Sequence, residues 1–236
     1  MNIIKQDGSV QKFSPNKILS KIKRASKGLN VDAEKVFQDT VYGVVDNMTT
    51  KEIDNLIANT SANKMVINQD YSKLASNIII SRQSKIIGVE PIDSDYLFDF
   101  LGIVSFLYKY SLKNDVGEPI ELPHMMYRRV ANHLFDNKTE ADEYYDALRY
   151  RRISVATPQL MNYGSERGSG ISCNITSLID DSKEGILETL RIASLASSDG
   201  SGIGNHIHNI RSKETMVSSF KGFAGGVVRY CDMLQS

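Results

Sequence analysis

The sequence predicts an α+β chain in three parts, and three local observations carry that prediction. Asp-Gly between the apolar residues of IIKQDGSVQKF is a hairpin signal. Four stretches after it repeat apolar residues at helical spacing. Beyond residue 150 the texture changes to short apolar runs and glycine-rich turns, where a strand-turn-helix unit opens an α/β architecture.

The elements follow in order. SPNKILSKIKRA places Ser14 as an N-cap and Pro15 at the first helical position, where its missing N–H costs nothing. A second helix is predicted over Ala33 to Met48, with Phe37, Val41, Val44 and Met48 on one face. Thr50 is the expected cap of TKEIDNLIANTSANKM, and YSKLASNIIISRQSKII repeats Leu74, Ile78 and Ile79. Hairpin and four helices form a module over residues 1–88, and the Gly, Pro and acidic residues of 89–95 read as a linker. A helical region is predicted over 96–150, interrupted at NDVGEPIELP. In 151–236, Ile171, Cys173, Ile175, Ser177 and Ile179 alternate, which puts the thiol on the apolar face of a strand. Asp181 and Glu184 have capping-box spacing ahead of a helix through Ile186, Leu190 and Ala193. GFAGGVVRYCDMLQS reads as a glycine turn entering a further helix, the last part of an incomplete larger sheet or barrel.

Composition narrows the class. The 236 residues are 41% hydrophobic and 24% charged, enough for one large or two modest cores, and their apolar runs are too short for a membrane span. With no signal-peptide pattern either, a cytoplasmic location is expected, with no membrane partner. Two cysteines, Cys173 and Cys231, are too few for a disulfide framework and are not spaced as a zinc site. The net charge of zero conceals 13 Lys/Arg against 8 Asp/Glu in residues 1–88, a surplus suited to an anionic ligand as well as to a solvated surface.

Each candidate site has a plain structural alternative. A strand-borne cysteine is commonly a small buried hydrophobe, yet NYGSERGSGIS ahead of Cys173 is a glycine and serine loop suited to close backbone approach, with hydroxyls at Ser172 and Thr157 for phosphate oxygens. DGSGIGN lacks the dinucleotide G-x-G-x-x-G and follows a helix; it reads as a helix stop and turn, or as a loop whose bare backbone meets a ligand. His206 and His208 share a strand face, but their spacing lacks carboxylate or cysteine companions, so no metal site is expected. Lys5, Lys17 and the DGS turn are placed to hold a triphosphate between hairpin and helix, or are surface lysines.

TPQLMNYG, SGISCNI, DDSKEGILETL, GSGIGNHIHNIRS and GFAGGVVRY, in that order, resemble the large catalytic subunit of class I ribonucleotide reductase. IIKQDGSVQKFSPNKI with its helices resembles the ATP-cone, the nucleotide-sensing domain often found at that subunit's N-terminus. The resemblance implies an ATP-cone, a helical domain and the beginning of a ten-stranded α/β barrel. It implies that Cys173 is one of the redox-active pair that reduces the substrate 2′-carbon and ends as a disulfide. Ser172 and Thr157 match positions near the substrate ribose and diphosphate, and Ser201 and Gly202 fall where backbone approaches substrate. Asp181 matches an acidic residue on the effector sugar, Arg211 a phosphate-binding arginine and Ser198 a further effector contact. In the cone, Lys5 and Lys17 match phosphate-binding lysines and Thr50 the cap.

The departures are informative too. Gln6 stands where an arginine is common, and Asp54 stands where a histidine often contacts nucleotide, placing an anion beside a triphosphate. The radical-bearing cysteine, the partner of Cys173 and the C-terminal reducing cysteines are not in this sequence, and Cys231 matches none of them. The expectation is therefore an N-terminal piece of a ribonucleoside-diphosphate reductase large subunit, inactive alone and completed by a C-terminal polypeptide. ATP and deoxynucleoside triphosphates would be its effectors. Its expected partners are a metal-containing, radical-generating small subunit, a thioredoxin or glutaredoxin reductant and a second large subunit, with no nucleic acid. The rival reading is a non-catalytic nucleotide-binding regulator derived from such a subunit.

Overall fold

The computed structural model describes every residue except 167, 178, 179, 218–220 and 236. It divides into two compact units, Met1–Ser154 and Val155–Ser236, and is of the mixed helix-and-sheet class that the sequence predicts.

The first unit opens with β1 (Asn2–Ile4) and β2 (Val10–Lys12), antiparallel across the Asp7-Gly8 turn, where Gly8 takes φ 80°. Four helices follow: α1 (Pro15–Ala25), α2 (Ala33–Val41), α3 (Thr50–Ala62) and α4 (Asp70–Ile87). Their inward stripes meet in one core containing Ile22, Val36, Ile57, Leu74 and Ile78, all inaccessible to solvent. Helix α2 ends at Val41, short of the expected Met48, because the chain turns there and delivers β3 (Met48–Thr49), which pairs parallel with β1. The cap of α3 is Thr49, one residue before the expected Thr50: the Thr49 hydroxyl accepts from Glu52 N–H, and the Glu52 carboxylate accepts from Thr49 N–H. Ser14 occupies the cap position of α1 without a side-chain cap bond, and Pro15 sits at the helix start as expected.

The stretch expected as a linker is tied down at its end. Asp95 is fully buried at the start of a 3₁₀ turn (Asp95–Leu97), accepts from His124 N–H at 2.8 Å and Ile92 N–H at 3.0 Å, and pairs with His124 Nδ1 at 2.6 Å. Beyond it lie α5 (Phe100–Ser105), a π-helical turn (Phe106–Tyr110), α6 (Pro123–Leu134) and α7 (Lys138–Arg149). Buried Glu121 receives Arg129 through two hydrogen bonds of 2.8 and 3.0 Å.

The second unit begins with the short α8 (Thr157–Asn162). Then β4 (Cys173–Ser177), α9 (Lys183–Ser198) and β5 (Gly202–His206) form a βαβ unit with parallel strands, followed by the β6 (Met216–Val217) and β7 (Gly222–Phe223) pair and by α10 (Val227–Gln235). The cap of α9 is Ser182, whose side chain accepts from Gly185 N–H, not the expected Asp181. Asp181 is engaged elsewhere, as described below. Ile179, expected to extend the strand, lies outside the described residues. Among the described residues no helix is long and apolar enough to cross a membrane.

Candidate functional site

Cys173 is the first residue of β4, and its register partner on β5 is Gly202. Strand alternation then sets Cys173, Ile175 and Ser177 on one face with Gly202, Gly204 and His206, and the whole face is exposed, Ile175 to 89%. The expectation of an apolar strand face was right in pattern, but that face is open to solvent. The half-buried residues are instead Asn174, Thr176, Ile203 and Asn205, and the Thr176 hydroxyl and Asn205 side-chain oxygen are hydrogen-bonded across the strands.

The backbone around the thiol is fixed from behind. Gly202 N–H donates to Ser172 C=O at 2.9 Å, and the buried Ser201 hydroxyl donates to Ile171 C=O at 2.7 Å. Ser172 Oγ lies 3.7 Å from Cys173 Sγ. Neither Gly202 nor Gly204 has a positive φ, and a Cβ on either would meet only ordinary contacts, at 3.7 Å or beyond. The fold itself does not demand glycine there. What the two glycines supply is bare backbone beside an exposed thiol, open to close approach by a ligand. At Gly170, by contrast, a Cβ would overlap the Tyr163 ring, which packs on the loop that leads into the thiol and would have to move aside. The structure thus brings Ser172, Cys173, Ser201 and Gly202 together, while Thr157 stands at the first turn of α8.

Asp181 and Arg211 meet at the other end of the strand pair. Arg211 Nε donates to Asp181 Oδ2 at 2.6 Å, Arg211 N–H donates to the same oxygen at 3.0 Å, and Arg211 Nη2 donates to Asp181 C=O at 2.5 Å. A carboxylate offered a guanidinium and an amide forms stronger, charge-assisted bonds than a helix cap would give it, so the cap passes to Ser182. Ser198 does not join them. It ends α9, whose 16 residues separate it from Asp181 by about 24 Å, and its hydroxyl donates to Leu195 C=O. Ser198 lines an open cleft of about 930 Å³ between α9, β5 and α10, which Ser201, Gly202 and Cys231 also line. His206 and His208 stack with ring centroids 3.9 Å apart; among the described residues no group of three or more His, Cys, Asp or Glu could hold a metal ion.

In the first unit, Lys5 sits in the hairpin turn, where its N–H donates to Ser9 C=O and its C=O accepts from Gly8 N–H. Lys17 is exposed on α1, and half-buried Thr50 opens α3. The charge of Asp54 does not stand alone, as the sequence implied it would beside a triphosphate: the Lys21 ammonium pairs with it, with the two side chains only 17% and 10% exposed. Burial pushes the Lys21 pKa down, and Asp54 opposes that shift. Lys21 was overlooked in the sequence, although it lies one helical turn after Lys17 on the same face.

Residues 1–86 match the ATP cone domain, residues 96–168 the all-alpha domain of ribonucleotide reductase, and residues 171–236 the barrel domain of ribonucleotide reductase. The ribonucleoside-diphosphate reductase large chain of Schizosaccharomyces pombe is 29% identical over an alignment covering 97% of this chain and 34% of that protein. Large chain 2 of Saccharomyces cerevisiae is 30% identical, with 97% of this chain and 31% of that protein covered. The large subunit of Caenorhabditis elegans is 27% identical, with 96% and 34% covered. The chain therefore spans about a third of the length of the curated relatives it matches.

Proposed function

Since the chain belongs to the ribonucleotide reductase large-chain family, with an ATP cone, the all-alpha domain and the start of the barrel, we propose that it supplies part of the catalytic and effector machinery for reducing ribonucleoside diphosphates to deoxyribonucleotides. The observation that carries this reading is the thiol of Cys173, exposed on a strand face whose neighbouring positions are glycines the fold does not itself require. A ribose over that face would lie against Cys173, with Ser172, Ser201, Gly202 and Thr157 as its surroundings.

In this reading Cys173 contributes one of two thiols. Together they deliver two electrons and two protons to the substrate 2′-carbon centre as the 2′-oxygen leaves as water, and the thiols end as a disulfide. In this reading the second thiol and the radical-bearing cysteine come from the rest of the barrel, and the reducing cysteines from the C-terminal end, both on a separate C-terminal polypeptide. The exposure of Ile175 on β4 supports that completion. Asp181 and Arg211 serve the effector, the carboxylate toward a ribose hydroxyl and the guanidinium toward phosphate, while Ser198 acts from the other end of α9. Lys5 and Lys17 hold a nucleotide at the cone, where Lys21 neutralises Asp54. The proposed assembly is cytoplasmic, with a second large subunit, a metal-containing radical-generating small subunit and a thioredoxin or glutaredoxin reductant.

The test is CDP reduction by the completed large subunit with its small subunit, ATP and reductant. Cys173→Ser should abolish multiple turnover while leaving nucleotide binding intact. Unchanged turnover in that variant would overturn the catalytic role of Cys173, and nucleotide binding by an assembly that never reduces CDP would favour the regulator.

A further inference from the structure

A cavity of about 410 Å³ lies in the first unit where the cone meets the helical region. Its volume is within the range of small-molecule sites. One wall comes from α3 and α4, another from α5 and the π-helical turn, and the rim from residues 113–119. It uses a different face of α3 from Thr50 and Asp54, and neither Lys5 nor Lys17 lines it.

Its chemistry is two-sided. Phe100, Val104 and Leu107 give an apolar wall, and the Tyr108 ring, 79% exposed, stands at its edge with Lys113 Nζ 5.3 Å from the ring centroid. The cations among the lining residues are Lys51 and Arg82 on the helices and Lys113 on the rim beside Tyr108, with Glu118 the one carboxylate. Glu118 is taken by Lys51 at 2.9 Å. Arg82 has no such partner: its Nη1 reaches the neutral amide of Asn55, its Nε is buried with no hydrogen-bond partner, and among the described residues it forms no ion pair. A half-buried guanidinium with no hydrogen-bonded anion is costly to the fold: burial lowers its pKa, and the Asp54 and Glu118 carboxylates, each paired with a lysine, oppose that shift only through space. An incoming anion would repay that cost, and a flat apolar body attached to it would cover the wall opposite.

We propose that this cavity binds a small phosphorylated molecule with an aromatic body, of the nucleoside monophosphate class, its phosphate between Arg82 and Lys113 and its ring against Phe100 and Tyr108. The site joins two parts of the unit, since Lys51 bonds to Glu118 and Gln83 Nε2 donates to Pro119 C=O at 2.6 Å across it. Occupancy would hold the cone against the helical region. The proposal stands independently of the catalytic reading of Cys173.

The experiment is calorimetric titration of the whole chain with adenosine 5′-monophosphate and, separately, with inorganic phosphate. Saturable binding of the nucleotide is expected, with phosphate at least about tenfold weaker because it cannot use the apolar wall. Arg82→Gln and Lys113→Gln should each weaken the nucleotide about tenfold, as loss of a charge-assisted bond does. Lys113 is on the exposed rim, so that variant remains informative if Arg82→Gln fails to fold. Equal affinity for phosphate and nucleotide would overturn the ligand class. Absence of binding, or binding lost in Lys17→Gln but kept in both cavity variants, would overturn the site.

Discussion

The two units obey the same packing physics with opposite results. In residues 1–154 the helices bury whole isoleucine and leucine side chains, such as Ile22, Ile57, Leu74, Ile78 and Ile103. In residues 155–236 the only buried hydrophobic side chains among the described residues are Ala193 and Tyr230, while Ile175, Phe223, Val228 and Met216 are each more than 60% exposed. Regular elements are present in both. A strand can be formed by its register with one neighbour and a helix by its own hydrogen bonds, but stability comes from covering the apolar face. The first unit carries its own cover, whereas the second leaves apolar surface open in this chain.

Hydrogen exchange gives the broadest test of that contrast. Amides of α3 and α4 should be protected by orders of magnitude more than those of β4, β5 and α10, since opening free energies follow buried contact density. Equal protection in both units would break the comparison.

Substitution sharpens it. Ile78→Ala, at a site with no solvent exposure, should cost about 3 kcal/mol in chemical denaturation. Ile175→Ala, at 89% exposure, should stay within about 0.5 kcal/mol in this chain. A large loss from Ile175→Ala in the isolated chain would show that the strand face is already covered.

A smaller effect is expected from the ion pair of α1 and α3. Asp54→Ala leaves the Lys21 charge buried and alone, at a cost of about 2–3 kcal/mol, below the full buried-pair value because both side chains retain some exposure. Adding Lys21→Met should restore most of it. A double variant no more stable than Asp54→Ala would show that the pair is not what the single change disturbs.

The smallest expected change is with acid, and it belongs to the first unit. Hydrogen bonds from Lys64 and Lys35 hold the Asp39 carboxyl below its ordinary range; backbone and side-chain bonds from Thr49 do so for Glu52, and a bond from Lys51 for Glu118. Folded-state values below the unfolded ones mean that this stabilisation is complete above the ordinary carboxylate value near about 4 and is lost as pH falls through the lowered values. These groups are exposed, so the shift in midpoint should be slight and should shrink in salt. A midpoint rising as pH falls would contradict the sign.

What could be read in the sequence was local. The DGS turn, Pro15 at a helix start and the spacing of Leu74 and Ile78 act within a few residues, and the structure follows them. The caps were displaced by one residue at both Thr49/Thr50 and Asp181/Ser182, where adjacent side chains compete for one cap. At Asp181 a distant partner, Arg211, decided the contest. The same cause hid the burial of Asp95, whose partner His124 lies on another helix, and the pairing of Asp54 with Lys21. At the thiol, alternation was legible but exposure was not, because exposure depends on what stands opposite the strand.

The parallel register of β4 and β5 also sets an order of events in time. The N-terminal hairpin closes when residue 4 meets residue 10, but the parallel pair closes only when residue 173 meets residue 202, after α9 has been made. The longer loop costs about 1.4 kcal/mol more in closure entropy. During synthesis at about 5–20 residues per second, roughly 2–10 s pass between completion of the first unit and the arrival of β5. A hairpin needs only about 1–10 μs. The chain that reaches β5 therefore already carries a finished N-terminal unit, and the thiol strand, complete at Ser177, waits about 1.5–6 s of synthesis for β5 to be completed beside it.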